Sequence, residues 1–236
     1  MSEWKARRFW KDAIVEPADQ GFAVRLDGRA VRTPLKTELA VPSVALAEGI
    51  ADEWQAQGDV VDPMSMPLTR AANATLDKVV PQRADVAAGL SEYGGSDLLC
   101  YRADRPDSLI ARQAEAWDPM LDWADERLGA RLVVTSGVMP LQQPEAVLAT
   151  LKRHVEDQTA WELTALSEFV SLSGSLVLGL AVLDGQDPDD IWARSRVDET
   201  WQAEQWGDDE EEAARIAVKR SEFLQARRYL DLLREG

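Results

Sequence analysis

At Ser43 the spacing of apolar residues changes period, and that change constrains the fold more than any other feature of the chain. Before it, Phe22, Val24 and Leu26 alternate with Ala23 and Arg25, the pattern of a strand with one inward face. Asp27-Gly28 follows directly, a two-residue hairpin signal in which Gly28 supplies the positive φ such a turn needs. The run "FWKDAIVE" from Phe9 to Glu16 is a second strand candidate. From Ser43, an N-cap residue, Leu46, Ile50 and Trp54 recur at i, i+4, i+8 and define one apolar helix face, with Trp54 in the core. That helix spans about 43–57. A bridge with three prolines and a helix from about Thr69 leads out of this region. The rest reads as helical, apart from a short β-rich "RLVVTSG". The expectation is an α+β fold: a β-rich N-terminal domain, 1–80, and a larger, mainly helical domain, 81–236.

Within the helical part, 106–130 is predicted as one long segment carrying Trp117 and Trp123 as core anchors, with a kink or break near Pro119. The apolar run from Phe169 to Leu183 is about 15 residues long, too short to cross a membrane, and is expected to be a core helix. Ser171, Ser175 and Gly179 in it are spaced by four, a stripe that lets a neighbouring helix come close. Read as one helix, "DPDDIWARSRVDETWQAEQWG" aligns Trp192, Arg196, Glu199, Ala203 and Trp206 on one stripe, with Glu199 midway between two indoles; either both indoles pack inward, or Trp192 and Trp206 form with Glu199 a rim that faces a partner.

The chain has 26 basic and 42 acidic residues, a net charge of −16, which disfavours nucleic acid and anionic membranes as partners. Cys100 is the only cysteine and His154 the only histidine, so neither an internal disulfide nor a zinc site of ordinary ligands can form within one chain. No phosphate-binding glycine loop and no hydrolase or metalloprotease motif is present, so no cofactor or metal is expected. A Cys100–His154 pair is formally open, but Cys100, between Leu99 and Tyr101, reads as a small buried residue. The enzymatic alternative is a hydrolase using paired carboxylates, with Asp118, Asp122, Glu199 and Glu204 as its loosest candidates. The first 16 residues lack the apolar stretch of a secretory signal and carry acids that a transit peptide avoids, which suggests a cytoplasmic protein.

The motifs "RFWK", "LDGRAVRTP", "IADEWQAQ", "MPLT", "DLLCYRA", "WDPMLDWA", "SLVLGLAVLDG" and "DETWQAEQWG", in this order, span nearly the whole chain. In them the sequence resembles the F1 ATP synthase assembly chaperones that act on the alpha subunit, found in mitochondria and alphaproteobacteria. The resemblance implies a non-catalytic protein that holds free alpha subunit, preventing its aggregation, until the beta subunit replaces it. It also implies a β-rich N-terminal and a helical C-terminal domain. Carried over position by position, it puts Glu199, Gln202, Trp206 and Gly207 on the family's most characteristic segment. It makes Glu199 a functional acid and matches Trp54 to a family tryptophan. The absence of the N-terminal extension of a mitochondrial member points to a bacterial one.

Overall fold

The computed structural model describes residues 7–137, 141–207 and 209–235. By proximity they divide into two compact units, 1–83 with 228–236, and 84–227. No helix among the described residues is long and apolar enough to cross a membrane.

The first unit is built on β2 (Gly21–Leu26), which pairs antiparallel with β1 (Ala13–Ala18), β3 (Arg29–Ala30) and β4 (Ala40–Val41). Asp27 and Gly28 both take positive φ, 48° and 80°, so the turn joining β2 to β3 has the hand that matches strand twist. The Asp27 carboxylate accepts the Lys11 and Asp12 N–H groups, which hold it below the ordinary carboxylate range. Val24 and Leu26 are buried as the alternation requires, but so is Ala23 from the other face. α1 (Val44–Gln55) starts at the Ser43 N-cap and packs on β1 and β2 through Leu46, Ala47 and Ile50.

Trp54 is half-buried, its ring meeting that of Trp10 edge-on at 5.2 Å. The buried residue of that turn is Glu53, whose carboxylate accepts the N–H groups of Leu68 and Thr69 and the Thr69 hydroxyl. It thereby caps the N-terminus of α2 (Pro67–Ala74), and burial pushes its pKa up. α2 runs on into a π turn, Thr75–Val79, where Asp77 accepts the Thr33 hydroxyl and the Leu35 N–H. The final turns of the last helix also belong to this unit, and the Ser43 hydroxyl donates to the Leu232 carbonyl at 2.6 Å.

The second unit contains α3 (Arg83–Glu92), α4 (Asp107–Trp123), α5 (Glu145–Glu156), α6 (Ala160–Ser173), α7 (Leu176–Leu183), α8 (Pro188–Ser195) and α9 (Val197–Trp206). It also takes in the first part of α10 (Glu210–Arg234). β5 (Tyr101–Arg102) and β6 (Thr135–Ser136) form a two-residue parallel pair. Trp117 is fully buried, with its indole N–H on the Arg194 carbonyl, while Trp123 is half-buried.

Two expectations need correcting here. Of the kink or break expected near Pro119, the break is absent: α4 runs through it as one helix, packed through Trp117, Met120 and Leu121. The apolar run 169–183 is two helices: Gly174, at φ 76°, ends α6 and Ser175 caps α7. Ser171, Ser175 and Gly179 therefore share no stripe. Gly179 alone brings α7 against α6, since a Cβ there would sit 2.8 Å from Val170 Cγ2. Asp97, wholly buried, accepts the N–H groups of Leu99 and Val177. It caps one turn and one helix, and desolvation raises its pKa to about 6.

Candidate functional site

The sequence from Asp187 to Gly207 forms two helices, not one. Arg196 lies between them at φ −115°, ψ 19°. Its guanidinium donates to the Leu172 and Ser173 carbonyls at the C-terminus of α6 and to Glu199 at 2.8 Å, and stacks on the Trp192 ring at 5.0 Å. Capping the carbonyls of α6 fixes the guanidinium where an unbroken helix would not put it. The stripe expected from Trp192 to Trp206 is therefore cut. Trp192 falls in the core against Phe223, ring centroids 5.4 Å apart, and is withdrawn from the surface predicted for it.

The remaining residues stay together, because their spacing lies wholly within α9. Glu199, Gln202 and Trp206 stand at i, i+3 and i+7, one face of a regular helix. The side of α9 that carries Asp198 and Glu204 is tied to α4. Arg112 donates twice to Glu204, at 2.7 and 3.1 Å, and the Gln113 amide donates to Asp198 at 2.7 Å. With one face held, the other is presented. Trp206 is 75% exposed and Gln202 is exposed. The Glu199 side chain is 42% exposed, with Arg196 as its ion-pair partner. Gly207 ends α9 at φ 90°, a conformation that side chains rarely adopt, and its N–H donates to Ala203. Behind Trp206 stands Trp201, half-buried and edge-on to it at 5.7 Å. Nothing in the sequence pattern gave Trp201 a role. Its place in the middle of the α4-facing stripe of α9 is the signal that could have done so.

The four carboxylates of the hydrolase alternative have other partners. Asp118 pairs with Arg102, Asp122 with Arg131, Glu199 with Arg196 and Glu204 with Arg112. A general acid and a nucleophile need environments that push two carboxyls apart in pKa. Here each carboxylate has its own arginine, the wrong arrangement for a shared proton. Cys100 is buried, its thiol pushed up to about 12 by desolvation and the nearby Asp97, and is no nucleophile at neutral pH. The His154 ring is engaged with the Leu128 carbonyl at 2.9 Å. No group of acids, histidines and cysteine fit to hold a metal occurs among the described residues.

The crystal structure of Atp12 from Paracoccus denitrificans superposes with a TM-score of 0.95 at 49% identity, covering 98% of this chain and 100% of that one. A mutant of the same Paracoccus protein matches equally well, over 99% of this chain and 100% of that one. Mitochondrial protein atp12 of Schizosaccharomyces pombe is 22% identical over 214 residues, 85% of this chain and 74% of its own length. The family model of the ATP12 chaperone protein matches residues 7–125, just over half of the chain. The chain belongs to the ATP12 chaperone family, whose members are ATP synthase assembly chaperones rather than enzymes.

Proposed function

We propose that this protein binds the free alpha subunit of the F1 sector and prevents its aggregation until the beta subunit takes its place, working in a bacterial cytoplasm. The outer face of α9 is the contact: Glu199, Gln202 and Trp206, with Gly207 setting the turn beyond them. The observation that carries this reading is an indole 75% exposed at the end of a helix fixed from behind by α4. A tryptophan left in water on a rigid support has the character of a binding anchor, since such residues dominate interface energetics. Free alpha subunit exposes apolar surface meant for its neighbour, and a stoichiometric cover needs neither nucleotide nor metal.

The test is light scattering of free alpha subunit on dilution from denaturant, with and without an equimolar amount of this protein. Wild type is expected to suppress scattering; Trp206→Ala and Glu199→Lys are expected to lose most of that protection while remaining folded. Full protection by both variants would place the contact elsewhere.

A further inference from the structure

Three of the described indoles carry an arginine over the ring. Arg8 lies over Trp10 at 5.4 Å, Arg102 over Trp117 at 5.2 Å and Arg196 over Trp192 at 5.0 Å. Trp206 is the most exposed of the large apolar side chains, and among the described residues it carries no such cation. The sequence around it is acidic. From Val197 to Ala214 the sequence holds eight acids and no base. Arg112, Arg196 and Arg215 reach in to pair with Glu204, Glu199, Glu211 and Glu212. Asp198 is held by the neutral Gln113 amide, and Asp209 accepts backbone N–H groups at the start of α10. Their negative charge is not cancelled by those contacts.

We propose that Trp206 takes the guanidinium of an arginine from the bound partner on its open ring face, so that the partner's anchor is a cation rather than an apolar side chain. The proposal rests on the reading of the outer face of α9 as the client surface and adds the chemistry of what it receives. An apolar anchor would need apolar walls. Trp206 instead shares its face with Gln202 and, two turns or roughly 10 Å away, Glu199. The carboxylates of Asp209 and Glu210 follow within four residues of it. A guanidinium over an indole gains from the ring quadrupole and keeps its N–H groups free for those carboxylates. Trp201 meets Trp206 edge-on, with ring centroids 5.7 Å apart.

The experiment uses two fluorescein-labelled peptides, identical except that one carries arginine where the other carries its neutral isostere citrulline. Each is titrated by fluorescence anisotropy into the full-length protein and into the Trp206→Leu and Trp206→Phe variants. The arginine peptide is expected to bind wild type about tenfold more tightly than Trp206→Leu, with Trp206→Phe between them. The citrulline peptide should bind wild type no better than the arginine peptide binds Trp206→Leu. Equal affinity of wild type for the two peptides, or of wild type and Trp206→Leu for the arginine peptide, overturns the proposal. Binding of alpha subunit is assayed separately. Arginine recognition without it removes the client reading and leaves the cation site standing. Client binding by a protein blind to arginine does the reverse.

Discussion

Trp10–Trp54 in the first unit and Trp201–Trp206 in the second are the same contact in opposite settings. Both pairs meet edge to face, with centroids 5.2 and 5.7 Å apart. Trp10 is 4% exposed and Trp206 is 75% exposed. The ring–ring attraction has the same geometry in both pairs and, at about 0.5–1.5 kcal/mol where it is buried, cannot explain the difference. What separates them is area removed from water. Trp10 sits under the Arg8 clamp, whose guanidinium binds the carbonyls of Trp10, Lys11, Gln55 and Gln57. Trp206 forgoes at least the roughly 1.5–3 kcal/mol that burying a large apolar side chain provides. On the proposed reading, the use of that indole lies outside the fold.

The sharpest way to break this contrast is in the first pair. Trp54→Arg removes the partner of Trp10 and brings a charge into an apolar cluster. Trp54 is half-buried, so truncating it costs less than the roughly 3–5 kcal/mol of a fully buried indole, and a charge without a partner set against Trp10 adds to that. Denaturant unfolding should therefore show a largely unfolded or strongly destabilised protein. A variant that melts like wild type but fails to hold its client would make Trp54 a contact residue.

How far the sequence anticipated these settings depends on what made each one. The Asp27–Gly28 turn, the Ser43 cap and the α1 face were legible because local chemistry produces them. The break at Gly174 had its signal in Ser-Gly-Ser, which the continuous apolar run concealed. The break at Arg196 had none. It is produced by hydrogen bonds to the carbonyls of Leu172 and Ser173, more than 20 residues away in sequence. The grouping of Glu199, Gln202 and Trp206 survives because it needs only one regular helix, whereas Trp192 required two helices to be one. Glu53 and Asp97 were missed for a related reason: a buried acid capping a distant helix looks like any other acid in a chain with 42 of them. The proposed boundary between two independently folding domains near residue 80 is tested by expressing 84–227 alone and measuring whether it unfolds cooperatively.

Asp97 gives the next effect in size and has a defined sign with pH. Its pKa is about 6 in the folded chain, against about 3.9 when unfolded. Between those values the folded state holds a proton that the unfolded state has lost. The contribution to stability is thus full below the lower value and disappears as pH rises through 6, a change of about 3 kcal/mol. Asp97→Asn turns an amide toward N–H groups that need an acceptor and should cost about 1–3 kcal/mol at pH 7.5. Because asparagine does not titrate, the deficit relative to wild type should grow on going to pH 5. A deficit independent of pH would mean that Asp97 titrates alike in both states.

Glu199→Lys comes next. The carboxylate pairs with Arg196 at a half-exposed site, so its loss should cost about 0.5–1 kcal/mol, with some further repulsion between the two cations. Glu199→Gln should be milder, because the amide oxygen can still accept from the guanidinium. Thermal melts of the three proteins are expected to lie close together while protection of the client falls in the order wild type, Gln, Lys. A collapse in stability, with the remaining folded protein still protecting its client, would make Glu199 a structural acid serving only to hold Arg196 against α6.

The smallest effect on the fold belongs to Trp206, and it decides the comparison. Trp206→Ala removes an indole that is mostly in water and leaves the α4 tether of α9, through Arg112 and Gln113, untouched. Only the edge-on contact with Trp201 is lost, and surface changes of this kind usually stay within about 0.5 kcal/mol. Trp10→Ala deletes the same side chain from the buried pair and should cost about 3–5 kcal/mol by the same denaturant measurement. The two identical substitutions therefore separate burial from ring contact. If Trp206→Ala destabilised the protein as much as Trp10→Ala, the exposed indole would be part of the second unit's core in solution, and α9 would have no free face to offer a partner.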